Sequence, residues 1–220
     1  MRRSLALLLL AALVTGRGAA QTSPPPDGAA ILVRAAGTFT ALKSLVAEFR
    51  QRIDDPAIGP MDARGTYYQV GANRFAMRFS DPADEAIVMD GSKVWVYLPS
   101  SSPNQVLRFP MPGGPVYGYN TMAWLLDRPT ERYRTTWLRE ESVDGARTDV
   151  LRLEPTTPDP QFRRAIVWID QATSLPRKVE INERVGSTRT ITLSRLRPDG
   201  AVPPAMVEFK APKGVRVIDQ

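Results

Sequence analysis

Alternation of apolar and polar side chains with a period of two runs through most of this chain. Ala47, Phe49, Gln51 and Ile53 interleave with Glu48, Arg50 and Arg52, the pattern of a strand with one buried and one solvated face. The signal returns over residues 65–70, 74–79, 85–89 and 93–98, and again over 105–109, 133–139, 148–154, 163–169, 177–182, 188–196 and 206–209. Asp-Gly pairs at 90–91, 144–145 and 199–200 mark turns, because glycine accepts positive φ at no steric cost. Two segments break the rhythm. Ile31, Leu32, Ala35, Phe39 and Leu42 follow helical intervals behind Asp27, whose carboxylate is placed to accept first-turn amides. Over 120–127, Met122, Trp124, Leu125 and Leu126 make a short apolar helix that stops before Pro129.

Many antiparallel strands and few helices imply a mainly β domain, closed as a barrel or strongly curled, because a flat sheet this wide would leave its apolar face in water. The two helices would then either plug the mouth of the curl as a lid or simply complete its core. A curled sheet of this size has room for an apolar ligand.

Composition narrows the chemistry. The 220 residues contain no histidine and no cysteine, which removes Ser-His-Asp and Cys-His catalysis and the common zinc, copper and haem ligand sets. No metal and no cofactor is expected. What is left is binding, or carboxylate and lysine chemistry. Asp54-Asp55 and Asp84-Glu85 are the carboxylate pairs a glycosidase-like reading would use; both adjoin turns, where solvated acids are ordinary. Neither a GxSxG elbow nor a glycine-rich phosphate loop is present.

Arg2 and Arg3 precede an apolar run from Leu5 to Val14, and small residues follow at Gly18, Ala19 and Ala20. This is the pattern of a secretory signal cleaved near Ala20. The run falls well short of the roughly 20 residues a membrane-spanning helix needs, and Gln21 stands where a lipid-anchored bacterial protein would carry cysteine. Residues 1–20 are therefore expected to be a signal peptide, 21–30 a flexible leader containing Pro24-Pro25-Pro26, and 31–220 a single exported domain. Arg2, Arg3 and Arg17 account for three of the formal +6, leaving +3 for the mature chain. Basic and acidic residues interleave without basic runs, so no nucleic-acid partner is expected.

The order and spacing of several segments carry a resemblance. Gly65 to Gly91, with Asn73-Arg74-Phe75, Asp81-Pro82 and Ile87-Val88-Met89-Asp90-Gly91, followed by Val94-Trp95-Val96-Tyr97, is similar to the periplasmic outer-membrane lipoprotein carrier family, LolA. Phe49-Arg50-Gln51 matches that family's first strand, Asn120-Thr121 opens its mid-chain helix, and Phe209 to Asp219 looks like its closing strand. The resemblance spans nearly all of 30–220.

What the resemblance implies is an unclosed antiparallel β-barrel of about 11 strands with a small α-helical lid. It also implies a monomeric periplasmic chaperone without chemistry of its own. It would take up the acyl chains of lipoproteins released by an inner-membrane ABC transporter (LolCDE-like), and a LolB-like outer-membrane receptor would take them over. At about 0.8 kcal/mol per methylene, a three-chain anchor of roughly 40 methylenes faces a cost on the order of 30 kcal/mol in water. Position by position, the lining would include Phe49, Phe75, Met77, Trp95 and Tyr97 from the sheet and Trp124, Leu125 and Leu126 from the lid, although aromatic and methionine stripes are also ordinary core. One departure stands out. The family's lid-holding arginine falls at Gly71; Arg74 is a substitute candidate, yet three positions on, a strand residue points to the opposite face unless a bulge intervenes. The rival reading is a lipid- or lipoprotein-binding sensor of the same fold, which would be expected to carry a second domain.

Overall fold

A computed structural model describes residues 24–220; the expected signal peptide, 1–20, lies outside the described residues. Asp27 caps the first helix as its position suggests, accepting from Ala29 N at 2.9 Å and Ala30 N at 3.2 Å. The helix, α1, spans Gly28–Ala41 and buries Ile31, Leu32, Ala35 and Phe39. Six strands follow as a meander: β1 (Ser44–Asp55), β2 (Gly59–Val70), β3 (Arg74–Asp81), β4 (Ala83–Asp90), β5 (Lys93–Tyr97) and β6 (Gln105–Pro110). Two short helices, α2 (Thr121–Leu126) and α3 (Pro129–Arg132), separate it from a second meander. That one contains β7 (Tyr133–Val143), β8 (Ala146–Pro155), β9 (Phe162–Asp170), β10 (Pro176–Glu183) and β11 (Thr188–Pro198).

The two meanders become one sheet because β1 pairs antiparallel with β11, Phe49 facing Leu193. The sheet runs β12-β6-β5-β4-β3-β2-β1-β11-β10-β9-β8-β7 and does not close. Its last strand, β12 (Arg216–Asp219), adds to β6 in the parallel sense. Twelve strands in one unclosed sheet match the expected mainly β fold. The expected strand at 206–209 is not one: a 3-10 turn occupies Pro204–Met206, and of the closing segment only Arg216–Asp219 is extended into the sheet. Three prolines between 198 and 204 deny that stretch ladder donors.

Turn chemistry falls where the sequence puts it. Asp90 Oδ1 accepts from Ser92 N and Lys93 N, both at 2.8 Å, and Asp144-Gly145 takes positive φ at both residues, as a tight hairpin requires. Gly65 serves a different need. A Cβ there would lie 2.0 Å from the Arg78 carbonyl oxygen, so only glycine lets β2 and β3 approach at the irregularity between Arg64 and Gly65.

Alternation sorts the side chains onto two faces. Inward, β3–β5 and β8–β11, far apart in strand order, contribute to one buried cluster that also contains α1 and α2. A wide sheet meets itself in this way only when curled. Outward, Ala76, Ala86 and Val88 form a second, smaller cluster covered by Val207.

Candidate functional site

The interior of the curl and its helical cover form the candidate site. From the wall come Phe49 (1 % exposed), Phe75 (2 %) and Met77 (5 %), and from α2 come Trp124 (7 %), Leu125 (1 %) and Leu126 (5 %). These six expected lining residues share one cluster. Phe49 stands edge-on to Phe79 at 5.1 Å, Phe75 to Tyr67 at 5.1 Å, and Trp124 to Phe162 at 5.1 Å. The lid's side chains thus fill the space that a barrel reading leaves hollow, and an apolar ligand enters this interior only by displacing them.

The other two expected residues do not belong here. Trp95 and Tyr97 lie on the outer face, where both meet the Phe209 ring, at 5.4 and 5.8 Å; Val94 and Val96 take the inner positions of β5. The strand is apolar on both faces because both are covered, so period two alone gives no inside or outside. Arg74 is likewise corrected. It is exposed, shares the face of Ala76 and Arg78, and lays its stem against the Gly91 turn. It points away from the lid.

What fastens the lid was not legible as such. Asn120, the α2 N-cap, accepts from Ala123 N at 3.1 Å and donates through Nδ2 to Gln69 Oε1 at 3.1 Å. The Tyr67 hydroxyl lies 2.9 Å from both Asn120 Oδ1 and Gln69 Oε1, and gives its single proton to one of them. Tyr67, Gln69 and Asn120 are all buried. Burial pushes the Tyr67 pKa far above the ordinary tyrosine value, against a lesser lowering by Asn120, so the hydroxyl stays neutral. This triad joins β2 to the lid, with Gln69 two residues before Gly71 in the turn that follows the strand.

A second tie lies nearer the far end of the strands. The Tyr117 hydroxyl donates to Glu183, which also accepts from Arg189 Nε at 2.9 Å; Arg189 Nη1 reaches Gln51 Oε1 at 3.4 Å. Tyr117 stacks obliquely on Trp124 at 4.9 Å. Arg132 completes the fastening: its guanidinium lies 4.7 Å over the Trp124 ring and donates to the Trp124 carbonyl. The detectable signal in the sequence was an amide, Gln69, at an inward register position between apolar neighbours.

Three of the four paired carboxylates are engaged in bonds that hold the fold. Asp55 accepts from Ala57 N at 2.8 Å, Ile58 N at 3.2 Å and the Ser187 hydroxyl at 2.8 Å, and those bonds, the Ala57 amide first, hold its pKa below the usual value. Asp54 pairs with Arg52 at 2.9 Å, and Glu85 accepts from Ser100. Two surface clefts, of about 360 and 640 Å³, are lined by Arg50, Arg64 and other polar groups.

An unclosed antiparallel sheet curled round an apolar interior, with short helices tied across it, defines an open β-barrel with a helical cover. A family model described as "-like: Uncharacterized protein" matches residues 71–211, over half of the chain, and the chain belongs to that family. The resemblance to the outer-membrane lipoprotein carrier family holds among curated relatives. The protein of that name from Legionella pneumophila (strain Corby) is 24 % identical over 182 residues, 83 % of this chain and 86 % of its own. Its namesake from Chromobacterium violaceum is 25 % identical over 212 residues, 96 % of each chain. Among solved structures, that of the Pseudomonas aeruginosa MucA/MucB complex is similar with TM-score 0.55 and 15 % identity, covering 88 % of this chain and 64 % of the other, a likeness of fold.

Proposed function

We propose that this protein is a periplasmic carrier that takes the acyl chains of lipoproteins beneath its lid and moves them from the inner to the outer membrane. The observation that carries the reading is α2: six residues that insert Met122, Trp124, Leu125 and Leu126 into the interior and are held there by apolar contact and a few side-chain bonds. Exposing those four side chains costs about 6–12 kcal/mol at 1.5–3 each, and burying one acyl chain of about 15 methylenes returns about 12 kcal/mol. Chain-for-lid exchange is therefore near balance, which is what a carrier that must also release its cargo needs.

On this reading residues 1–20 are the export signal, 21–30 a leader and 31–220 the carrier domain, working as a monomer without catalysis or cofactor. Phe49, Phe75, Met77, Trp124, Leu125 and Leu126 meet the chains. A LolCDE-like transporter loads it, and a LolB-like receptor, where present, unloads it. The names of the curated relatives support the lipoprotein as cargo.

The test is uptake of a fluorescent fatty acid by the mature protein, followed by incubation with inner-membrane vesicles, ATP and labelled lipoprotein. The expected result is saturable uptake, lost in Trp124→Glu, and a soluble one-to-one complex released from the vesicles. Uptake without release under the cognate transporter would instead make it a stationary lipid sensor; no uptake overturns both.

A further inference from the structure

A cavity of about 220 Å³ opens between the Gly71–Asn73 turn and the loop that leads from β6 into α2. Its walls are Ala72, Asn73, Met89, Met111 and the run Pro112–Val116, and its base is Asn120 and Ala123. No ionisable residue lines it, although charged residues make up 24 % of the chain. Two methionines do, and methionine repacks readily round an apolar guest. The cavity adjoins the site already described and shares wall residues with it. Met89 belongs to the interior cluster, Ala123 packs against it, and Asn120 is the residue through which Tyr67 and Gln69 hold the lid.

We infer that this cavity is where the methyl end of a single acyl chain first enters, before the lid yields. The inference rests on the carrier reading and deepens it by naming the portal and its capacity. Size sets that capacity: an apolar cavity of about 150 Å³ is enough to hold benzene, so the space here takes a short terminal segment of one chain and excludes three chains at once. A guest pressing on Asn120 and Ala123 competes with the buried triad at the point where α2 begins. The loop is suited to give way. Gly113 and Gly114 have no atom within 4 Å of where a Cβ would stand, so they are not there for close packing, and their effect is backbone freedom.

Because the chain lacks cysteine, single-cysteine labelling is clean. Val116→Cys, at a position 38 % exposed, is labelled with a bulky anionic maleimide, and Ile58→Cys, 72 % exposed on the β1–β2 turn, is labelled as control. Stopped-flow uptake of a fluorescent fatty acid is expected to slow at least tenfold with the label at 116 and to stay within twofold with the label at 58. Bimane on Met111→Cys should be quenched by a fatty acid brominated at its methyl end before the lid-centred Trp124 signal changes. Equal uptake rates for both labelled proteins, or Trp124 responding first, overturns the portal while leaving the carrier reading intact. No uptake by the unlabelled protein overturns the carrier reading and the portal with it.

Discussion

The inner face of the sheet is covered by α1 and α2, and the outer face of β2–β5 by the strap from Ala201 to Phe209; the two covers are fastened in different ways. On the inner side, α2 is tied through side chains, Asn120 to Tyr67 and Gln69, and Tyr117 to Glu183. On the outer side, the sheet grips backbone. Arg78 donates to the carbonyls of Met206 at 3.1 Å, Ala205 at 3.3 Å and Glu208. Asp199 N donates to the Ser44 carbonyl at 2.8 Å, and the Ser44 hydroxyl donates to the Gly200 carbonyl at 2.6 Å. Phe209 then lies between Trp95 and Tyr97, and β12 anchors the far end in the sheet. A cover held by a few side-chain bonds and interchangeable apolar contact is built to be replaced by another apolar body; one held by its own main chain is built to stay.

The largest effect expected to sharpen this contrast is that of Trp124→Ala. Removing a buried indole costs about 3–5 kcal/mol in a fixed core. The midpoint of urea unfolding should fall accordingly, while hydrogen exchange quickens in α2 first and the strap keeps its protection. Fatty-acid uptake should become faster, because less lid surface has to be displaced. Equal loss of protection in both covers would show that they melt as one unit.

Arg78→Ala comes next, at about 2–3 kcal/mol for bonds from a charged donor to several carbonyls, part of it exposed to solvent. Limited proteolysis should then cut within 201–209, with lid exchange and fatty-acid uptake unchanged. Cleavage at the lid instead would break the distinction between the two covers.

The contrast also explains which parts of the molecule the sequence discloses. Strands with one wet face, such as β1 with Phe49 and Gln51 inward and Glu48 and Arg50 outward, announce both their existence and their orientation. Strand β5 announces only its existence, since Val94-Trp95-Val96-Tyr97 is apolar on both sides. Its orientation depends on a strap more than a hundred residues away, and nothing local records that. For the same reason Trp95 and Tyr97 read as inward from the sequence, as Phe75 and Met77 do beside Arg74 and Arg78, and of the four only Phe75 and Met77 lie in the interior cluster. The strap itself, with Val207 and Phe209 in strand-like alternation, resembles a strand until its prolines are counted. The lid's apolar residues were legible from their spacing. Its ties were not, because Tyr67, Gln69 and Asn120 come from elements 51 residues or more apart and meet only when the sheet curls.

A third, smaller effect isolates the lid. Tyr67→Phe removes one hydroxyl from the buried triad and leaves Asn120 Nδ2 bonded to Gln69, so a loss of about 1–2 kcal/mol is expected. Lid exchange should quicken without any change in strap proteolysis. If the variant is as stable as the parent and its lid no more mobile, the triad does not hold the lid.

The smallest effects near neutrality, and the most selective outside it, come from pH. With no histidine in the chain, neither cover contains a side chain that ordinarily titrates between pH 6 and 8, so both should be flat there. Their limits lie on opposite sides. Burial raises the pKa of Tyr67, and burial followed by the Glu183 carboxylate raises that of Tyr117. The unfolded chain releases these protons near pH 10 while the folded one keeps them, so the folded state binds more protons and loses stability as pH climbs beyond 10. At the strap's end, the bond from Arg108, 2.6 Å to Asp219 Oδ2, lowers the Asp219 pKa. Its contribution is therefore complete above the ordinary aspartate value and fades as pH falls through the lowered one. In protein carrying 5-fluorotryptophan, the Trp124 resonance should shift first on the alkaline side and the Trp95 resonance first on the acid side. Both moving together at either extreme would mean that the sheet transmits the loss of one cover to the other, and that the molecule opens on both faces at once.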